Sequence, residues 1–509
     1  MRNMKRYFSL ALVLIFTLTA ILTGCGKTEQ PANTSSGTET KTEAKTEEKA
    51  AEVPKEQVEL TFYSVADSQP EMQKICDAAT EYLKDKLNVK IKAENFGWGD
   101  TYTPKINPML ASGQPVDIVF TANWAANYRV NANAGYFKDL TPYLQNSKIT
   151  EIVGKDFLNG SAINGKNYAV PTNKEKVHNW GVLLKKDLVE KYKVDVGAIK
   201  KFEDLEPYFE KIKAGEPGVT PLLNVQMEGP FKILDWDNIS DDDIPGALYP
   251  DNRDTKIVNQ FEAPESVALY KKMRDYYKKG WIHPDAATQD NFSEEMKTGK
   301  YFAVVQSMKP GKAEEMKLST NIDWVQVDIT KPVMTNRETT GALLAIPAGS
   351  KNPDRAFKFI EMLYTDKFLK NLFVYGIEKD HYTKVSDNVV KLTENKGYMA
   401  GNGWRFGNQF IDYLLDNEDP DKWQKFEDYN KSGTPLKSLG FAFDNKNVEN
   451  ECGAVKNVVQ KYYKQLFIGS ADTDSTYAAF TKELKAAGTD KIIAEMQKQY
   501  DEWLKANGK

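Results

Sequence analysis

Val58-Glu59-Leu60-Thr61-Phe62-Tyr63, Val89-Lys90-Ile91-Lys92-Ala93 and Val116-Asp117-Ile118-Val119-Phe120 are the segments that decide the fold. The first alternates apolar and polar side chains as a half-buried strand does, the second returns to that pattern, and the third reads as a buried strand. Between the first two lies Pro70 to Asn88, with Met72, Ile75, Ala79, Tyr82, Leu83 and Leu87 at helical spacing. A second helical stretch runs from about Tyr102 to Ser112. Strand, helix, strand, helix, strand predicts a parallel α/β sheet. Ligands of such sheets bind beyond the carboxyl ends of the strands, which directs attention to loops 64–69, 95–101 and 121–128.

The same grammar recurs downstream. Pro264 to Lys279 carries Val267, Tyr270, Met273 and Tyr277 on one face and stops at Gly280. Tyr301 to Val305 and Ala342 to Ile346 read as strands. Asn352-Pro353 supplies a capping side chain and a first-turn proline for a helix over Asp354 to Tyr364. From about Asp387 the pattern is mostly helical, closing with Ile492, Ile493, Met496, Tyr500, Trp503 and Leu504 as one apolar stripe. No repeat at a solenoid period is present.

The chain has 509 residues, 41% hydrophobic and 28% charged, and its 68 Lys+Arg against 72 Asp+Glu leave a formal net charge of −4. Its length fits several compact units with ample core. The near balance of charge argues against nucleic acid as a partner, which would need a basic face. Three Cys and three His, widely spaced, assemble neither a disulfide framework nor a multi-ligand zinc site.

The amino terminus reads as a targeting segment. A basic start with Arg2, Lys5 and Arg6 precedes the apolar run Leu10 to Phe16, the n- and h-regions of a secretory signal, with a retained transmembrane helix as the alternative. Leu22-Thr23-Gly24-Cys25 resembles a bacterial lipobox, in which Cys25 is acylated and becomes the first residue of the mature chain. Two or three acyl chains give a stable anchor where one does not. Removing Arg2, Lys5 and Arg6 makes the mature chain more acidic. Gly26 to Gln57 has no aromatic and Val53 as its only large aliphatic residue, so it is expected to be a flexible tether.

Beyond these periodicities, the chain resembles a family on specific segments. They are Ser112-Gly113-Gln114-Pro115-Val116-Asp117-Ile118-Val119-Phe120, Gly135 to Leu144, Asn164 to Pro171, Met296-Lys297-Thr298-Gly299-Lys300 before a strand, and Gly341 to Thr365. Together they resemble the extracellular solute-binding lipoproteins of ABC importers, in the group of maltose-type, family 1 binders. Leu439 to Asp444 and Leu484 to Gln497 resemble the C-terminal domain of a LipO-like subset. The resemblance implies an α/β, two-lobed, type II periplasmic-binding-protein-like fold with a helical C-terminal elaboration, closing on ligand by rigid-body motion. The expected division is a signal peptide over 1–24 and the lipidated Cys25 with its tether over 25–57. Lobe 1 then spans 58–175, lobe 2 spans 176–340, and lobe 1 resumes over 341–386. A C-terminal region, 387–509, packs mainly with lobe 2.

The implied function is capture of an extracellular solute, an oligosaccharide first among candidates, and delivery to the transmembrane subunits of an ABC permease. The expected location is the outer face of a bacterial cytoplasmic membrane, as a lipid-anchored monomer without cofactor or nucleic acid. Sugar rings present apolar faces and hydroxyl rims, so their sites combine flat aromatics with amides and carboxylates. Trp98 lies in the glycine-flanked loop after Ala93, and Trp124 follows the strand ending at Phe120 and matches the family loop that touches ligand. Trp404 and Arg405 sit in the glycine-rich Gly401 to Asn408, readable as a cleft loop or as an ordered surface loop. Gln306 and Lys309 close the strand from Tyr301 where the second lobe would meet ligand, with a solvated turn as the alternative. Asp67 follows the first strand, as a ligand residue or an ordinary turn carboxylate.

Trp180 and Trp281 are assigned to core or hinge packing, and Trp236, Trp324, Trp423 and Trp503 to structural roles. The acidic run Asp235 to Asp243 lacks the glycine and terminal glutamate of a calcium loop, and is expected to be solvated. His178, His283 and His381 show no paired-ligand spacing, and Cys76 and Cys452 read as buried thiols. Two other functions remain open. A lipid-anchored glycan-processing enzyme needs two carboxylates at ~5–9 Å, and no nucleophile elbow, phosphate loop or zinc helix accompanies them. A subunit presenting ligand to a membrane sensor would look the same in sequence.

Overall fold

The computed structural model describes residues 53–289, 291–398 and 401–508. The expected signal peptide, the expected acylation site Cys25 and the expected tether up to residue 52 lie outside the described residues. Among those described, no helix is long and apolar enough to cross a membrane.

Strand Val58–Ser64 buries Leu60, Phe62 and Ser64 on one face, as its alternation dictates. It lies between Val89–Asn95 and Ile118–Thr121 and runs parallel to both. The third strand starts two residues later than its apolar run implies, because the buried Asp117 carboxylate accepts from Thr61 N at 3.1 Å and from Ser350 Oγ at 2.7 Å. Helix Met72–Leu83 covers this sheet with Ile75, Cys76, Ala79 and Leu83. Leu343–Ala345 then enters antiparallel to Ile118–Thr121, and Ala169–Pro171 completes the five strands.

A second sheet holds Trp324–Asp328, Asn179–Lys185, Tyr301–Met308 and Thr220–Leu223 in that order. Its central strands are buried on both faces, which is why Tyr301 to Val305 reads as an unbroken apolar run. Each sheet has its own apolar core, the first around Phe62, Ile118 and Phe359, the second around Val182, Phe209 and Phe302. The chain passes from first to second sheet between Pro171 and Asn179, and returns between Asp328 and Leu343. These two crossovers pair, His178 N donating to Val333 O at 2.9 Å and Val333 N to His178 O at 2.8 Å. A third segment joins them, Thr434–Pro435 running parallel to Val333–Met334.

Several expectations change. The stretch from 387 was assigned to a region packing with lobe 2, yet Val390, Tyr398, Phe406, Tyr413 and Leu415 enter the core of the first sheet. The helical reading does not hold over this stretch, where the strands Val389–Leu392 and Leu414–Leu415 and the turns between them carry these side chains. Asn352 precedes helix Pro353–Thr365 as expected but makes no capping bond, its amide reaching Glu59 O instead. Cys76 and Cys452 are free and buried in different cores. Helices Glu449–Leu466, Thr473–Ala487 and Thr489–Ala506 enclose a third core with Ile239, Leu248, Phe261 and Tyr270.

Candidate functional site

The loops after the three parallel strands converge. Ala66 N donates to Gly97 O at 3.2 Å and Gly97 N to Ala66 O at 2.9 Å, zipping the first two loops together. Gly97 has φ +85°, and a Cβ there would meet Thr101 Oγ1 at 2.1 Å, so only glycine admits this turn. It aims Trp98 at Asp67, whose Oδ1 accepts from Trp98 Nε1 at 3.1 Å. Trp124, beyond the third strand, donates Nε1 to Gly341 O at 2.9 Å. A Cβ on Gly99 would stand 3.3 Å from Trp124 O and 3.4 Å from its ring, so the second glycine flanking Trp98 packs close against Trp124.

Trp404 joins them from far along the chain. Its ring stacks on Trp98 at 6.4 Å between centroids and 21° between planes, and lies 6.3 Å from Trp124 at 48°. Phe120, fully buried, props the group from beneath, edge-on to Trp404. Trp98 is 36% and Trp124 44% exposed, so both indoles offer area to solvent. Three indoles with an adjacent exposed carboxylate form one surface, whose flat apolar faces and acceptor oxygens have the chemistry that suits a sugar ring and its hydroxyls.

Arg405 is placed differently from its expected role. It is 5% exposed, and its Nη1 donates to Val65 O at 2.7 Å, Ser64 Oγ at 3.2 Å and Asn95 Oδ1 at 3.3 Å. The guanidinium therefore ties the turn carrying Trp404 to the ends of two strands, and burial pulls its pKa down to about 10. Below it, Lys370 Nζ donates to Gly403 O at 2.7 Å and sits 3.1 Å from Asp412 Oδ1. Arg405→Met is expected to cost about 2–3 kcal/mol of folding stability, since three acceptors lose a charged donor. Denaturant midpoints check it, and an unchanged midpoint would contradict the positioning role.

Gln306 lies on the strand Tyr301–Met308 of the second sheet, and Lys309 directly follows its end. No hydrogen bond, ion pair or ring contact joins either to the tryptophans among the described residues. Lys309 is not a free cation at a solvated turn. It is buried, 2.7 Å from Glu315 and 3.7 Å from Glu175, while Lys174 pairs with Glu175 and Lys312 with Glu315. Burial opposes its charge, but the two carboxylates outweigh that and raise its pKa. Gln306 is half-buried opposite Gly181.

The acidic run is not solvated either. His178, on the first crossover, lies with Nε2 2.7 Å from Asp235 Oδ1 and Nδ1 2.8 Å from Glu338 Oε1 on the return crossover. Burial disfavours a charged ring, yet the two carboxylates outweigh it and push its pKa up to about 10. Asp237 accepts from Ser438 Oγ at 2.6 Å, and burial raises its pKa to about 7. Asp242 pairs with Lys232 at 2.7 Å and Arg337 at 2.6 Å, and Asp241 and Asp243 with Lys456. The chain's own cations thus meet Asp241, Asp242 and Asp243. At another cluster, Glu71, Asp380 and His381, the Lys74 ammonium already sits 2.8 Å from Glu71 and 3.3 Å from Asp380.

Sequence reasoning missed this hinge cluster. Thr335-Asn336-Arg337-Glu338 shows the capping-box pattern that locates its short helix, and the structure forms that box. Nothing in the pattern connects Glu338 with His178.

Two α/β lobes joined by crossovers, with aromatic rings gathered at strand ends, define a ligand-trapping protein. Residues 77–376 match the family model of the bacterial extracellular solute-binding proteins, and the chain belongs to that family. Residues 437–505 match a domain of unknown function, DUF3502. A carbohydrate ABC transporter substrate-binding protein of Streptococcus pneumoniae serotype 4 (strain ATCC BAA-334 / TIGR4) is 28% identical over 516 residues, 99% of each chain. Lipoprotein LipO of Bacillus subtilis (strain 168) is a weaker match, 21% identical over 249 residues, 49% of this chain and 40% of that one. The crystal structure of the N-glycan transport solute-binding protein NgtS of Streptococcus pneumoniae is similar with a TM-score of 0.80 and 27% identity. The similarity covers 88% of this chain and 99% of that one. The complex of NgtS with Man5GlcNAc gives a TM-score of 0.72.

Proposed function

We propose that this protein captures an oligosaccharide of the N-glycan type between its lobes and delivers it to the transmembrane subunits of an ABC permease. The observation that carries the reading is the Trp98, Trp124 and Trp404 cluster at the carboxyl ends of the first sheet. The likeness of the chain as a whole to NgtS, solved in complex with Man5GlcNAc, supports the ligand class. Asp67 accepts from sugar hydroxyls, and Gln306, across the cleft, meets the far side of the glycan. Arg405 and Lys309 serve as positioning residues. Acylated Cys25 anchors a monomer to the outer face of the membrane through the tether. The lobes divide as 58–175 with 341–386, and 176–340, with 387–415 added to the first on account of its core.

The test is a thermal-shift and small-angle scattering series with neutral N-glycans, beginning with Man5GlcNAc. The reading predicts a raised melting temperature and a smaller radius of gyration, because closure is stabilised only by contacts the ligand makes to both lobes. No shift across a broad glycan panel, together with hydrolysis of a chromogenic glycoside, would overturn it in favour of the enzyme.

A further inference from the structure

The domain of unknown function at 437–505 is bound to the second lobe as one body. Helix Pro264–Lys278 gives Tyr270 to the C-terminal core and Met273 and Tyr276 to the core of the second sheet, so one rigid element serves both. Asn224 Nδ2 donates to Phe467 O at 2.8 Å and Arg274 Nη1 to Gly469 O at 2.9 Å across the same junction. Gly469, with φ +79°, packs against the backbone of Met273, where a Cβ would lie 2.4 Å from its carbonyl.

At its other end this body reaches the first lobe. Phe441 is held between Tyr500 and Trp503, and its carbonyl accepts from Arg129 Nη2 at 3.1 Å. Asn336 of the return crossover shares that acceptor at 3.1 Å and receives Gly440 N at 2.9 Å. Arg129 belongs to helix Tyr128–Asn133, whose cap Asn127 ends the loop bearing Trp124. The guanidinium therefore spans from the ligand loop of one lobe to a domain fixed on the other.

Rotation of the lobes about their crossovers displaces such a contact, and a hydrogen bond weakens steeply beyond ~3.5 Å or below ~120°. The bond can thus be made in one arrangement of the lobes and lost in the other. In this structure the bond is formed while Trp124 is 44% exposed.

We propose that the C-terminal domain is a latch on lobe closure. The Phe441 carbonyl, presented to Arg129, holds the lobes apart until ligand contacts replace the bond. The latch rests on the two-lobe fold and not on the glycan chosen as ligand. Arg129 touches no residue of the tryptophan platform by hydrogen bond, ion pair or ring contact among the described residues, so its substitution leaves the ligand surface in place.

Arg129→Ala is tested in the full-length mature protein by small-angle scattering without any glycan and by calorimetric titration with Man5GlcNAc. The latch predicts a more compact unliganded ensemble and about fivefold tighter binding or more, while Arg129→Lys, which keeps charge and most of the reach, stays near the parent. Unchanged scattering with affinity within about twofold of the parent, or weaker binding, would overturn it. If Arg129→Ala melts below the assay temperature, Arg129→Gln is read by the same criteria. If the parent does not bind Man5GlcNAc, the scattering comparison alone decides the latch.

Discussion

His178→Ala is expected to destabilise the protein by about 3–5 kcal/mol, the usual cost of stranding buried charges by removing their partner. The imidazole is buried, with Asp235 2.7 Å from one nitrogen and Glu338 2.8 Å from the other. Truncation leaves Glu338 with its bonds from Thr335, and Asp235 with its bond from Thr330. Asp235 also holds a left-handed backbone, φ 53°, which a non-glycine residue adopts at a cost that its bonds offset. Because the three groups belong to both crossovers and to the acidic loop, the loss falls on the segment connecting the lobes.

The pH dependence has a definite sign. His178 has a folded-state pKa of about 10 against an ordinary value near 6.5, so the protonated ring stabilises the fold. That contribution is fully present below pH ~6.5 and is lost as pH rises through about 10. The stability gap between parent and His178→Ala should therefore be widest at pH 6 and narrow steadily toward pH 10. Urea midpoints across that range measure it, and a gap independent of pH would show that the ring packs without bearing charge. Asp237, raised to about 7, acts in the same direction at lower pH, its contribution to stability falling as pH rises from ~4 to 7.

Trp404→Ala should weaken binding of Man5GlcNAc by about 2–4 kcal/mol, the range of a central aromatic anchor. Trp404 is the one ring that touches both other tryptophans, so its removal takes away a stacking face and leaves Trp98 with only its Asp67 bond. Trp124→Ala should cost less, ~1–3 kcal/mol, an estimate from aromatic burial. The double variant should fall short of the sum, because the rings are in contact. Titration calorimetry provides the values, with circular dichroism confirming the fold. A dissociation constant for Trp404→Ala equal to that of the parent would remove the indole cluster from the ligand surface.

Much of the architecture was legible because periodicity is a local property. The alternation in Val58 to Tyr63 and the helical spacing of Ile75, Cys76, Ala79 and Leu83 each report one face of one element. The order of those elements is enough to call a parallel sheet. The strand-end rule then singled out Trp98 and Trp124, and glycine content singled out Trp404. Region 387–415 was misplaced because the helical reading does not hold over its short strands and turns.

The charged residues escaped for a different reason. Arg405 and Lys309 read as ligand contacts, or as parts of a surface loop and a solvated turn, and Asp235 to Asp243 as a solvated loop. In the structure each meets a partner that is distant in sequence: Arg405 the carbonyl of Val65, Lys309 the carboxylates of Glu175 and Glu315, Asp235 the ring of His178. A charge is recognisable in sequence, but its burial and its counter-charge are products of long-range packing.

The sequence by itself determined the strands and helices, their α/β order and the indoles at strand ends, since hydrophobic spacing and glycine-flanked loops act over a few residues. Only the tertiary structure decided that Trp404 completes the platform, that Arg405 supports it from below, and that the acidic run clamps the hinge. Those outcomes depend on distances between segments the chain brings together only on folding, where desolvation leaves a charge stable only beside its partner.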